Sequence, residues 1–246
     1  MNNSLKAQVN FQYALGRCVI FFAAPLVYLI VLCLRYRIRN LKEIRNTVRQ
    51  LYRKHPGPWL ICANHLTLID SLIIAYALAP FYMYMIRFRT LPWNIPEKTN
   101  FNRNLFMSML TFVFKCVPVV RGGERSQVST SLSKCVYLLS KKESLLIFPE
   151  GTRSRTGIID PHEFSYGAGR LFLSIPDCRV LCVYLRGARQ KTFSNFPETG
   201  QDFFMSVRSF IPEPVGNGLR AQRDCAKQII HTLIEMEKKY ECLHRK

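Results

Sequence analysis

Acidic residues are scarce in this chain. Sixteen Asp and Glu stand against 35 Lys and Arg, which leaves a net charge of +19 and a pI near 9.9. Such a deficit implies an anionic partner: nucleic acid, an anionic membrane face or an acidic carrier. The nine Cys are odd in number and contain no C-x2-C pair, so neither a zinc site nor a disulfide framework is suggested. A reducing, cytosol-facing folded part is the simplest inference. Internal repeats and low-complexity segments are absent, as is any RNA- or DNA-binding fingerprint. The Gly-x-Ser-x-Gly turn that marks a serine nucleophile is also missing. The length of 246 residues allows one α/β domain of ordinary size plus an appendage.

The appendage is N-terminal. Cys18 to Leu34 carries no charge and is broken only by Pro25. As a helix it would be about 26 Å long, just short of a ~30 Å hydrocarbon core. Its flank lacks a basic cluster and a small-x-small cleavage site, which argues against a secretory leader. Arg35 to Lys54 then carries eight Lys or Arg and a single acid, Glu43. Its apolar residues, Leu34, Ile38, Leu41, Ile44, Val48 and Leu51, recur every three or four positions, which predicts a helix with a basic face. Such a helix suits a core-docked surface, nucleic acid or a membrane surface. Its place directly after the apolar run favours the membrane. The Lys/Arg excess on this side puts the folded part in the cytoplasm, whether the run spans or turns back as a hairpin at Pro25. Residues 1–54 are thus expected to be membrane-attachment helices (apolar 18–34, basic amphipathic 35–54), and residues 55–246 the folded domain, with His55-Pro56-Gly57-Pro58 as the break.

Beyond the break, apolar runs alternate with helix-length segments. Strands are expected at Trp59–Ala63, Phe81–Ile86, Cys116–Val120, Leu145–Phe148, Val180–Leu185 and Phe203–Phe210. Helices are expected at Ser71–Ala79, Asn104–Phe114, Gln127–Ser140, Tyr166–Ser174 and from about Ala221 onward. The alternation predicts an α/β fold, a mostly parallel central sheet flanked by helices. Functional residues of such sheets gather at the carboxyl ends of strands, where His65, Arg121 and Glu150 fall.

Two polar stretches follow apolar runs. The first, Asn64-His65-Leu66-Thr67-Leu68-Ile69-Asp70, offers a histidine base with a carboxylate to orient it. Thr67-x-x-Asp70 is equally a capping box for the next helix, which would make Asp70 structural. On a continuous helix five residues diverge by about 140°, so the pair can meet only if His65 lies in the turn before it. The second stretch is Phe148-Pro149-Glu150-Gly151-Thr152-Arg153-Ser154. Gly151 permits close backbone approach to a ligand, and Thr152 and Arg153 supply donors for a phosphate. Glu150, itself negative, suits a hydroxyl acceptor or a brace for Arg153. Arg121, after Val117-Pro118-Val119-Val120 and before two glycines, can offer a planar fork.

Together these blocks resemble the signature of the glycerolipid acyltransferase family, which includes the 1-acylglycerol-3-phosphate acyltransferases. The likeness covers residues 58 to 215. It implies a catalytic pair of His65 and Asp70, and substrate binding by Arg121, Glu150, Gly151, Thr152 and Arg153. It implies no metal and no cofactor, with acyl-CoA or acyl carrier protein as co-substrate. The expected reaction moves a fatty acyl group to the free hydroxyl of a lysophospholipid, 1-acylglycerol-3-phosphate first among them. Membrane lipids are the expected partners, and nucleic acid is not. Two departures bear on the acceptor. Cys182 stands where the family's fourth block has proline, and Arg87 to Glu97 lacks the Lys-x-Glu-Leu pattern of many members. Another lyso-lipid or a specialised lipid or polyene alcohol is therefore an alternative acceptor. A non-catalytic basic membrane adaptor would explain residues 1–54 but not two intact blocks.

Overall fold

The computed structural model describes residues 1–98, 105–120 and 122–244. The chain runs α1 (Asn3–Cys33), β1 (Arg37–Ile38), α2 (Leu41–Lys54), β2 (Trp59–Ala63), α3 (Asp70–Leu78), α4 (Phe81–Ile86) and β3 (Trp93–Asn94). It continues through α5 (Leu105–Val113), α6 (Arg125–Ser140), β4 (Leu145–Ile147), α7 (Gly167–Leu173), β5 (Arg179–Gly187), β6 (Asp202–Phe210) and α8 (Gly218–His244). The strands form a six-stranded sheet in the order β1-β6-β5-β2-β4-β3. Every pairing is parallel except β5 with β6. The expected α/β sheet, mostly parallel and flanked by helices, is what the chain forms.

Alternation along the central strands divides the core into two layers, because successive side chains leave opposite faces. Leu60, Cys62, Leu145, Val180 and Cys182 meet Leu138 and Leu139 of α6, Leu171 of α7, and Ile229 and Leu233 of α8. Trp59, Ile61, Ala63, Leu146, Leu181 and Val183 meet Ile44 and Val48 of α2 and Ile73, Ile74 and Ala77 of α3. Both faces are covered, so β2 is buried at every position.

Three segments differ from the sequence expectation. Phe81–Ile86 is helix α4 and not a strand. It turns a single tyrosine, Tyr84, into a small cluster with Ile20 and Ala24 of α1 and with Phe88. Cys116–Val120 makes only isolated parallel bridges, Asn94 to Cys116 and Glu97 to Val119. Pro118 has no N–H to donate, and β3 offers only two residues to pair with. Arg35 to Asn40 does not continue the basic helix. Arg35 adopts φ 54°, and Arg37–Ile38 joins the sheet edge beside β6 before α2 begins. The expected helix at Asn104–Phe114 is α5, as far as the described residues extend.

Helix α1 begins fifteen residues before the uncharged run. Asn2 caps it by accepting the Leu5 N–H at 3.0 Å. The helix continues through Pro25 and does not reverse there. Val9, Gln12, Gly16, Ile20, Ala24 and Val31 are buried along one side, and α1 packs on α3, α4, α5 and α6. Gln12 donates to the Phe112 and Cys116 carbonyls at 2.8 and 2.9 Å. A Cβ on Gly16 would lie 2.9 Å from the Val113 oxygen, so only glycine permits this approach. The other side of α1 exposes Phe11, Phe22, Leu26, Leu29 and Leu32. Among the described residues α1 alone is long and apolar enough to cross a membrane, a weak indication of membrane association.

Candidate active site

Strand β2 ends at Ala63 and α3 begins at Asp70, so residues 64 to 69 form the intervening turn. Asn64 fixes its start by a two-way link to β5: its amide donates to the Leu185 carbonyl at 2.9 Å and its oxygen accepts the Leu185 N–H at 2.8 Å. His65 thus lies before the regular helix, where it can meet Asp70. His65 Nδ1 is 3.1 Å from Asp70 Oδ2. The same oxygen accepts the Leu66 and Thr67 N–H groups at 2.7 and 2.8 Å, and Thr67 Oγ1 donates to Oδ1. No side chain caps α3 at Ile69. The carboxylate instead reaches back over the turn, so it both shapes the turn and holds the imidazole.

The second block docks on the first. Glu150 Oε1 accepts the His65 N–H at 2.7 Å, and the His65 carbonyl accepts the Ser154 N–H at 2.9 Å. The imidazole stacks on Phe148, with ring centroids 4.0 Å apart and planes 17° apart. Gly151 adopts φ 82°, which lets the chain reverse after β4. Burial pushes the Glu150 carboxyl up to about 8, and the charges of Glu237 and Asp70 add to this. The His65 N–H bond opposes the shift. Near neutrality Glu150 therefore holds its proton much of the time.

Arg153 Nη1 donates to the Ser194 carbonyl at 3.1 Å and to Asn195 Oδ1 at 2.8 Å, and its guanidinium lies over Phe193 at 5.5 Å. The 194–195 loop is in turn bonded to the turn, through Ser194 N–H to Leu66 O and Leu68 N–H to Asn195 O. Arg153 is thus joined to this loop, while Glu150 braces the His65 backbone. Arg121 lies outside the described residues.

A cavity of about 720 Å³ opens at these groups. His65, Phe148, Gly151, Thr152 and Arg153 line it, together with Asn94, Ile95, Pro96 and Glu97 from the segment after β3. Leu68, Ser71, Arg155 and Phe193 also line it, and sequence reasoning singled out neither Arg155 nor Phe193. Arg155 had a faint signal in its closeness to the second block, and Phe193 had none. A second cavity of about 480 Å³ shares Ile95, Pro96, Glu97 and Phe148 with the first. Its lining includes Val119, Val120, Val128, Leu132, Ile147 and Leu171. Cys182 sits mid-strand in β5 opposite Cys62, away from both cavities.

A histidine whose Nδ1 is held by a buried carboxylate leaves Nε2 free for another contact. Among the described residues Nε2 has no hydrogen-bond partner. The imidazole is 19% exposed and Asp70 only 4%, so the ring reaches the cavity while the carboxylate stays dry. Such a pair can take a proton from a hydroxyl and return it to a leaving group. A family model described as Acyltransferase matches residues 37–186, from β1 almost to the end of β5, and includes both blocks. The chain belongs to this family, that of the lysophosphatidic acid and glycerolipid acyltransferases, and is an acyltransferase enzyme. No curated protein gave a match to the chain.

Proposed function

We propose that the enzyme is a membrane-associated O-acyltransferase that esterifies the free hydroxyl of a lysophospholipid, 1-acylglycerol-3-phosphate in the first instance, from acyl-CoA or acyl carrier protein. The observation that carries this reading is the His65–Asp70 pair at the mouth of a cavity walled by Thr152, Arg153 and Arg155. His65 Nε2 accepts the proton as the acceptor oxygen attacks the thioester carbonyl. The carbon–sulfur bond then breaks, and the same proton passes to the departing sulfur, which yields ester and free thiol. No acyl-enzyme is required, because the thioester is already activated. The adjoining apolar cavity suits the acyl chain of the donor. No cofactor or metal takes part in this scheme, and the +19 chain would attract either acidic donor.

Helix α1 would lie along the bilayer surface. Its inner side is docked on the domain, and its exposed phenylalanines and leucines would enter the lipid. The basic α2 beside it favours a cytoplasmic orientation.

One observation favours a second acceptor class. Arg153 Nη1 is already engaged by the 194–195 loop, so it can brace that loop without meeting a phosphate, which suits a neutral alcohol as acceptor. Thiol release separates the cases. With acyl-CoA in mixed micelles, release should depend on 1-acylglycerol-3-phosphate and vanish in His65→Ala. Release driven only by a neutral monoacyl acceptor would select the second reading.

A further inference from the structure

A larger cavity lies away from His65. It is a groove of about 900 Å³ between α2 and the α3–α4 corner, and it shares no lining residue with the His65 cavity. Helix α3 starts at Asp70 and reaches the groove only at Leu78, about 12 Å further along its axis. The groove is therefore a separate site.

Its chemistry is two-sided. Lys42, Arg45, Arg49, Arg53 and Arg87 line it, and no Asp or Glu occurs among its described lining residues. Val48, Leu78 and Met83 supply an apolar floor. Arg45 is already positioned. Its Nη2 donates to the Tyr76 carbonyl at 2.8 Å and to Tyr28 Oη at 3.2 Å, with the guanidinium over the Tyr76 and Tyr28 rings at 5.4 and 6.0 Å. Its Nε is buried and has no partner among the described residues. That nitrogen is closed to solvent, so Arg45 contributes fixed positive charge to the groove wall, and the exposed Arg49 and Arg87 offer the donors for a phosphate oxygen.

The surroundings narrow the occupant. Tyr28 also meets Phe81 at 5.3 Å, which ties the exposed apolar half of α1 to the rim of the groove. Tyr82 and Ile86 on α4 are exposed at the same rim. A ligand entering here would carry an anionic head and apolar chains, and would come from the membrane plane. We propose that this groove binds one anionic glycerophospholipid, with its phosphate among Arg45, Arg49 and Arg87 and its chains along the floor. It is a lipid site additional to the one at which acyl transfer occurs, and it does not depend on the acceptor's identity.

The test uses the full-length protein in non-ionic detergent, supplied with phosphatidylglycerol or with phosphatidylcholine, and native mass spectrometry of retained lipid. The wild type should keep one phosphatidylglycerol and little phosphatidylcholine. Arg49→Glu combined with Arg87→Glu should weaken phosphatidylglycerol retention at least about tenfold. A reversal of equal size at Arg220 and Lys227 should leave it unchanged. Arg87→Gln gives a milder version if the double reversal lowers the melting temperature, and it should still reduce retention severalfold. Equal retention of the two lipids, or equal losses in the groove and control variants, would overturn the proposal. So would a rise in melting temperature from inorganic phosphate alone that matches the rise from phosphatidylglycerol, since that would mark a free-anion site.

Discussion

Replacing Asp70 with asparagine separates charge from shape at the candidate base. Asp70 Oδ2 collects three donors, from His65 Nδ1, Leu66 N–H and Thr67 N–H, while Oδ1 meets Thr67 Oγ1. An asparagine oxygen can occupy the Oδ2 position, and its amide can donate to a Thr67 hydroxyl that has turned round. The pattern then survives as neutral bonds. Charge-assisted bonds are roughly twice as strong as neutral ones, and a neutral bond contributes a net ~1 kcal/mol. Three such bonds would together lose about 2–3 kcal/mol of stability, or roughly 4–12 °C in melting temperature for a chain of this size. The catalytic loss should be larger, because the imidazolium formed during proton transfer loses its counter-charge. General-base catalysis typically contributes about 10²–10⁴-fold, and kcat should fall within that range with KM little changed. Thiol release from acyl-CoA measures the rate, and a thermal melt of the same sample measures the fold. Turnover within a few-fold of wild type, together with a lowered melting temperature, would assign Asp70 to the turn alone.

Glu150 should make the fold sensitive to pH. Its carboxyl is raised from 4.5 to about 8, so it contributes stability that is fully present below about 4.5 and lost as pH rises through about 8. Glu150→Gln imitates the protonated form and should flatten the decline of melting temperature between about pH 5 and 8; parallel slopes in the two proteins would contradict this. Arg153→Ala should raise KM for a phosphorylated acceptor while leaving the donor alone, with only partial rescue by lysine. Loss of kcat or stability without acceptor selectivity, in a competition of phosphorylated against neutral acceptors, would make Arg153 a loop brace only. Replacing Phe22 and Leu29 on the exposed side of α1 with serine should lower binding to neutral vesicles about a hundredfold or more, as two large apolar side chains leave the lipid. Unchanged co-sedimentation would exclude this face as the contact. Deleting residues 1–34 is a poorer test, since Val9, Ile20 and Val31 are buried and the remaining chain should lose stability.

Apolar runs that lead directly into polar blocks were legible in the sequence. The apolar runs at 59–63 and 145–147 are neighbouring parallel strands of the sheet, and His65 falls in the turn after the first because Asn64 and the start of α3 leave no helix for it. Other short apolar runs were not legible. Phe81–Ile86 is rich in aromatics and follows Pro80, features that a strand and a helix share over six residues. Packing of Tyr84 against α1 decides the case, and that contact joins residues sixty positions apart in sequence. The sheet edge at Arg37–Ile38 was hidden because Leu34, Ile38 and Leu41 also fit a helical stripe. Its partner, β6, lies more than 160 residues away. The site blocks themselves stood out in the chain. The segment Asn94 to Glu97 reaches the cavity only because β3 pairs with β4, and no local pattern announces that pairing.

Mass spectrometry of a lipid extract incubated with the purified enzyme and acyl-CoA tests acyl transfer at His65 most directly. A lysophospholipid, with 1-acylglycerol-3-phosphate foremost, should gain one acyl chain in step with thiol release, and His65→Ala should give neither product. Acylated lipid formed at an undiminished rate by folded His65→Ala would contradict the assignment of the base.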